Sequence, residues 1–487
     1  MNEKIIIIGL GSGNEEQLSL GAYKLLKSSD HLYLRTKIHP VVSFLDQEGI
    51  NYKTFDDLYD TNQEYDQVYQ KIATYLLEEV KRVDSIVYAV PGHPMVAEKS
   101  VQYLLELGKA KGIEIEVKGG ESFLDTLFSS LHIDPIDGFI FLNGETITRN
   151  DLDPSKNIVI GQVYNQFVAS DVKLTLLELY PEEMTIWIVS NLGMGSKEII
   201  KPISLYELDH KPEDFHHLSS VFVPMTEDEQ VQQKTFSRLV EIVQTLRGPN
   251  GCPWDKEQTH QSIRKYLIEE AYELLETIDE LDMDHMIEEL GDVLLQVMLH
   301  AQIGDDEGYF NIYDVIMQLN QKLVRRHPHV FGDEKAEKAE EVLKRWNKIK
   351  EQEKEKQGVI HSSILQGIPK DLPAILRAYK LQKKAASVGF DWPTIEQVYQ
   401  KIAEEIDELK EANGESAKDE LGDVMFAVVN LARFMKIDPE EALEKTNRKF
   451  MKRFFYIEQK LKEKGIPIEH ASLEIMDQYW EEAKKYS

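Results

Sequence analysis

The sequence predicts a multidomain chain: an α/β layer domain first, then an all-α half made of two copies of one helical unit. Three observations carry this. Up to about residue 210, short apolar runs alternate with amphipathic stretches of helical period. Beyond about Asp228, Gly and Pro become sparse and nearly everything follows a 3.6-residue period. Within that second half, three sequence blocks recur in the same order. The length of 487 residues agrees, since domains average about 150 residues. The expected boundaries are 1–212, 228–350 and 366–487.

In the first domain, Ile5–Ile8 is a continuous apolar run followed by the turn Gly9-Leu10-Gly11-Ser12-Gly13 and a helical pattern over Leu18–Lys27. Further buried strands are expected at Ser85–Val90, Ile113–Val117, Gly138–Leu142, Asn157–Ile160 and Thr185–Val189. Helical stretches such as Tyr65–Val80 and Ala97–Lys109 lie between them. Apolar strands separated by amphipathic helices predict a layered α/β domain with a largely parallel sheet.

In the helical half, Glu269–Leu274 aligns with Glu404–Leu409, and Glu289-Leu290-Gly291-Asp292-Val293 with Glu420-Leu421-Gly422-Asp423-Val424 at every position. Asn320–Arg326 aligns with Asn447–Arg453, and each copy then reaches a Trp, Trp346 and Trp480. Loops of different length between the blocks are what a drifted duplication leaves. The charged stretch Lys350–Gly358 reads as a solvated helix end or linker.

Composition bounds the function. With 86 Asp+Glu against 56 Lys+Arg the net charge is −30, which repels nucleic-acid polymers and anionic membranes. A nucleotide carried by Mg²⁺ remains admissible. The single Cys252 excludes a disulfide framework and a cysteine zinc site, which fits the cytoplasm. No secretory leader is expected from Met1-Asn2-Glu3-Lys4 and the short apolar run after it, and no run approaches about 20 apolar residues.

The carboxylates of the repeat carry the chemistry. In a helix Glu270 and Glu273 share a face, as do Glu289 and Asp292 on the next helix, and a short connection makes the two helices antiparallel neighbours. Glu405, Glu408, Glu420 and Asp423 repeat the set. Like charges at this spacing repel unless a cation neutralises them, and an all-oxygen set suits Mg²⁺ or Mn²⁺. The second pair of each set leads into an apolar run, Leu294–Leu299 or Met425–Leu431, and is expected to face a core. Lys449 and Arg453, four apart, can take triphosphate oxygens, with Lys322 and Arg326 as their counterparts. Trp480 offers a face for a base. His327 and His329, flanking a Pro, read as structural.

These blocks resemble the MazG nucleoside triphosphate pyrophosphohydrolases, whose signature is Glu-Glu-x-x-Glu followed by Glu-x-x-Asp. The segments Gly251–Lys256, Arg325–His329 and Val388–Trp392 resemble the family's flanking segments. The likeness covers about Phe236 to the C-terminus. It implies an all-α fold that forms homodimers through the MazG-like domains and uses Mg²⁺ to cleave nucleoside triphosphates to NMP and diphosphate. By this resemblance Glu405, Glu408, Glu420 and Asp423 hold metal, as do Glu270, Glu273, Glu289 and Asp292 in the first repeat. Lys401, Lys449, Arg453 and Trp480 contact nucleotide, with Glu405 and Glu408 catalytic. On physical grounds a carboxylate such as Glu404 is the expected acceptor of the water proton. The first repeat has Tyr266 where the second has Lys401, so the second is expected to be the more active.

Three strand-end loops of the first domain, Gly9–Gly13, Pro91-Gly92-His93-Pro94 and Gly119-Gly120-Glu121-Ser122, are expected to converge on one crevice. The set resembles the tetrapyrrole methylase family over about Met1–Asp209. That likeness implies S-adenosylmethionine contacts near Gly9, Gly11, Ser12, Gly92, His93, Val96, Ser122 and Phe123. Many members have Gly-Asp-Pro in place of Gly92-His93-Pro94. The whole chain resembles a fusion of the two families. The leading expectation is a pyrophosphohydrolase with an appended methyltransferase-like domain. The alternatives are a methyltransferase whose helical half is regulatory or dimerising, and a hydrolase tuned by a non-catalytic ligand-binding domain.

Overall fold

In the computed structural model the described residues are 3–61, 65–333, 335, 338–356 and 363–485. The chain divides into two compact units, Met1–Val315 and Ile316–Ser487.

The first unit opens with a five-stranded parallel sheet of order β3-β2-β4-β1-β5. Its strands are β1 (Lys4–Gly9), β2 (Leu32–Leu34), β3 (Lys53–Thr54), β4 (Ser85–Val90) and β5 (Glu114–Val117). Strands covered on both faces must be apolar at successive positions, and the two faces of β4 show it. Ile86 and Tyr88 pack with Val68, Ile72 and Leu76 of α2 (Tyr65–Val83) and Val101 and Leu104 of α3 (Lys99–Lys111). Val87 and Ala89 pack on the other side with Ala22 and Leu26 of α1 (Leu20–Ser28). The expected strands at Ile5–Ile8, Ser85–Val90 and Ile113–Val117 are therefore present to within a residue.

The second sheet, order β6-β7-β10-β8-β9, departs from the expected parallel arrangement. It contains β6 (Phe139–Asn143), β7 (Asn157–Gly161), β8 (Thr185–Ser190), β9 (Ile199–Ser204) and β10 (Ser219–Val223). Only β6 and β7 pair in parallel; β7/β10, β10/β8 and β8/β9 are antiparallel. The eight residues between β8 and β9 are too few for a crossover, so that chain must turn back. Pro202 sits in β9, the edge strand, where a missing N–H is tolerated. The central strand β10 escaped the sequence reading because it begins Ser219-Ser220; the Ser190 hydroxyl donates to Ser219 Oγ at 2.9 Å, which satisfies these buried groups. One face of the sheet packs on α5 (Gln166–Leu177) through Ala169, Val172 and Leu176. Val159, Val189 and Phe222 meet Leu127 of α4 (Phe123–Leu131) on the other.

The remainder is helical. After α6 (Phe236–Arg247), the first unit holds α7 (Arg264–Glu280) and α8 (Met283–Asp306), joined only by Leu281 and Asp282. Leu281 takes a left-handed conformation (φ 57°) and Asp282 caps α8 by accepting from His285 N–H at 3.1 Å. Helix α9 (Ile312–Arg326) contains the division between the units. The second unit continues with α10 (Ala339–Lys356), α11 (Ala374–Ala386), α12 (Ile395–Glu411), α13 (Glu415–Phe434), α14 (Pro439–Glu463) and α15 (Leu473–Ala483). The three recurring blocks fall on α7/α12, α8/α13 and α9/α14, and the Trp residues on α10/α15. Among the described residues no helix is long and apolar enough to cross a membrane.

Candidate functional site

Helices α12 and α13 pack side by side, joined by a turn through Gly414 (φ 64°). This brings one carboxylate oxygen each of Glu405, Glu420 and Asp423 within 4.8 Å of one another. Glu405 is buried, Glu420 half-buried and Asp423 exposed. Glu408 is not one of this trio. Its carboxyl is pushed up by burial and then by repulsion from Glu405, with Glu420 adding to it. Lys401 reaches Glu405 Oε1 at 2.7 Å and Glu404 Oε1 at 2.8 Å. Two hydrogen-bonded carboxylates raise its own pKa. Glu404 is exposed at the rim.

The first repeat also builds a trio, from Glu270, Glu273 and Glu289, which differs by one member: it takes Glu273, the counterpart of Glu408, in place of Asp292, the counterpart of Asp423. Asp292 lies outside it, yet it is the largest charged contributor, after burial, to raising Glu270. Glu289 is 7% exposed, and its Oε2 has no hydrogen-bond partner among the described residues. His285 Nε2 stands 3.3 Å from Glu289 Oε1. Tyr266 replaces the lysine and packs with Trp254, ring centroids 6.1 Å apart. Converging hard oxygen donors, upward-shifted acids and an unsatisfied buried oxygen together form a donor set that fits a divalent cation.

The expected core contact holds for Glu289, Met298 and Leu299 of α8 and for Ala427 and Val429 of α13, which are buried, but one apolar stripe of each helix is exposed. On α8, Leu290, Leu294 and Val297 are 51, 42 and 39% exposed, and their counterparts on α13, Leu421, Met425 and Val428, are 50, 52 and 49% exposed. Two faces of each helix are thus apolar, and among the described residues only one is covered.

The cationic residues meet their tryptophans in both copies. Arg453 Cζ lies 5.5 Å from the Trp480 ring centroid, with Phe450 at 5.2 Å, while Lys449 is exposed on α14. Arg326 Cζ lies 5.1 Å from the Trp346 ring. His327 Nδ1 is 2.7 Å from the Leu323 carbonyl at the end of α9.

In the first unit the three glycine-bearing loops are stitched by backbone. Gly9 N–H donates to Gly119 O and Gly92 N–H to Gly11 O, both at 2.8 Å. Gly11, Gly92 and Gly119 have φ of 79°, 65° and 76°, conformations that favour glycine. A Cβ on Gly9 would strike the Gly92 carbonyl, whereas one on Gly92 would meet open space. Val96 N–H bonds the His93 carbonyl at 3.0 Å, and Met95 N–H bonds His93 Nδ1 at 3.1 Å. Ser12 Oγ pairs with Thr126 Oγ1 at 2.9 Å. Ser122 caps α4 in a reciprocal box with Asp125, and Phe123 packs edge-on against Phe141. One residue here was missed. His39 Nε2 lies 3.1 Å from Gly11 O and its Nδ1 accepts from Val41 N–H at 3.3 Å, which makes Nε2 the donor to Gly11. Burial lowers its pKa to about 4. Nothing in Lys37-Ile38-His39-Pro40 announces this.

Comparison with known proteins bears on both halves. The family model for the MazG nucleotide pyrophosphohydrolase domain matches residues 258–331 and 394–455, and that for tetrapyrrole (corrin/porphyrin) methylases matches residues 4–209. The chain is 49% identical to YabN of Bacillus subtilis (strain 168) over 490 residues, covering 100% of this chain and 99% of that protein. It belongs to the YabN-type fusions of a tetrapyrrole methylase with MazG domains. Its MazG half is 50% identical over 250 residues to the nucleoside triphosphate pyrophosphohydrolase/pyrophosphatase MazG of Thermotoga maritima, covering 51% of this chain and 95% of that protein. It is 45% identical over 255 residues to the nucleoside triphosphate pyrophosphohydrolase of Escherichia coli (strain K12), covering 51% and 96%. Both acid clusters of this YabN-type chain fall within the MazG-matched segments, and all three glycine loops within the methylase-matched segment.

Proposed function

We propose that the second repeat is a metal-dependent nucleoside triphosphate pyrophosphohydrolase site that converts NTP and water to NMP and diphosphate. The observation that carries this reading is that each repeat gathers three carboxylate oxygens of its acid set within 4.8 Å. Glu405, Glu408, Glu420 and Asp423 would hold Mg²⁺ or Mn²⁺, which when bound supplies positive charge to the phosphate oxygens. Lys401 leaves Glu405 for a phosphate oxygen, Lys449 and Arg453 take the others, and the Trp480 ring faces the base. Water attacks the α-phosphorus, the α–β anhydride bond breaks, and Glu404 accepts the water proton as diphosphate departs. Incubation with Mg²⁺ and each NTP should release diphosphate. No release overturns the reading, and full release by Glu405→Gln/Glu408→Gln removes it from the second repeat.

The matching exposed stripes Leu290/Leu294/Val297 and Leu421/Met425/Val428 support homodimerisation through the MazG domains, since apolar patches of this kind are usually covered. The first domain we assign to S-adenosylmethionine, held near Gly9, Gly11, Ser12, Gly92, His93, Val96, Ser122 and Phe123. Close backbone approach at Gly9 and open space at Gly92 support this, and absence of binding by calorimetry would reject it. A triphosphate substrate and a single cysteine fit the cytoplasm, where we place the protein.

A further inference from the structure

Within Lys350–Gly358, read from sequence as solvated charge, Glu353 is not solvated. Its side chain is 15% exposed and both its oxygens are engaged from α9. Arg326 Nη2 donates to Oε2 at 2.6 Å and Arg326 Nε to the same oxygen at 3.2 Å. Arg325 Nε donates to Oε1 at 2.7 Å. Two guanidinium groups therefore converge on one carboxylate and leave an excess positive charge. Beside them Trp346 carries Arg326 at 5.1 Å and Lys350 Nζ at 5.0 Å from its ring. These are the parts of a phosphate site next to an aromatic face, with a carboxylate filling the bidentate positions that phosphate oxygens take.

We propose that Arg325, Arg326 and Trp346 form a second nucleoside triphosphate-binding site, which the Glu353 carboxylate occupies as an internal phosphate mimic. A triphosphate must displace Glu353 to enter. The second repeat has the corresponding Arg453–Trp480 pair. This inference rests on the reading that Lys449, Arg453 and Trp480 take the triphosphate in that repeat.

The test uses the full chain and the α,β-imido analogue of ATP with Mg²⁺, followed by calorimetry. Lys449→Ala/Arg453→Ala should weaken binding tenfold or more relative to wild type. Retained wild-type affinity would refute the reading of the second repeat. Adding Glu353→Gln to that background should tighten binding tenfold or more, and further adding Arg326→Ala should abolish the gain. An affinity within twofold with and without Glu353→Gln overturns the proposal, whatever the background shows. A pure latch between α10 and α9 would alter the melting temperature but not the affinity. If Glu353→Gln fails to fold, Glu353→Ser is read in the same way.

Discussion

Lys401 and Glu405, one turn apart on α12, form a 2.7 Å ion pair at the edge of the second acidic cluster. The cation thus sits where it neutralises a carboxylate until a stronger charge replaces it. Hydrogen bonds to charged groups contribute about 1.5–3 kcal/mol. Lys401→Met is expected to lower kcat/KM for diphosphate release by about 10- to 100-fold. Steady-state kinetics on the variant checks this, and an unchanged kcat/KM would separate Lys401 from the substrate.

Metal binding should register as stability. A ligand at 100 times its dissociation constant stabilises the folded state by about 2.7 kcal/mol. Mn²⁺ is expected to raise the melting temperature of the wild type by several degrees. Glu405→Gln together with Glu289→Gln should remove most of that rise, and scanning calorimetry with and without chelator would reveal it.

His39 makes the first unit sensitive to acid. Its pKa falls from 6.5 to about 4 because burial disfavours the charged ring. Between these values the unfolded chain binds the proton and the native chain does not, so stability declines as the pH drops from about 6.5 towards 4. The full effect is on the order of 3 kcal/mol at about 1.4 kcal/mol per unit. Urea unfolding at pH 7 and pH 4.5 should show a smaller decline for His39→Gln than for wild type.

Gly9→Ala places a methyl group against the backbone of Gly92 and Gly120, which cannot rotate away. Overpacking of this kind costs roughly 1–3 kcal/mol. A lower melting temperature and loss of S-adenosylmethionine binding are expected together. Gly92→Ala should still destabilise through its positive φ, without a clash. Calorimetric titration distinguishes the two.

The exposed stripe on α13 should respond to charge. Leu421→Glu/Met425→Glu is expected to shift the protein from dimer to monomer while the helical circular dichroism signal remains unchanged. Light scattering after size exclusion reads the mass directly.

Much of the second half was legible because a helix repeats every 3.6 residues: the acids at positions i and i+3 had to share a face, and the turn of two or three residues had to bring the second helix back alongside. The glycine loops were legible for a similar local reason, since positive φ and close backbone approach favour glycine. Period alone did not reveal which neighbour covers a face. Leu294 and Met425, in runs expected to face a core, are 42 and 52% exposed.

By itself, the sequence determined the order of an α/β domain and two helical repeats, the strands β1, β4 and β7, the two acid sets and the three backbone loops. Each of these is written in local spacing or local composition. Only the tertiary structure decided that β10 enters the middle of an antiparallel sheet, that His39 holds the Gly11 carbonyl, and that Glu353 lies between Arg325 and Arg326. Each joins parts of the chain through hydrogen bonds or charge at a distance, and no residue pattern along the chain encodes which partner a polar group will find when it leaves water.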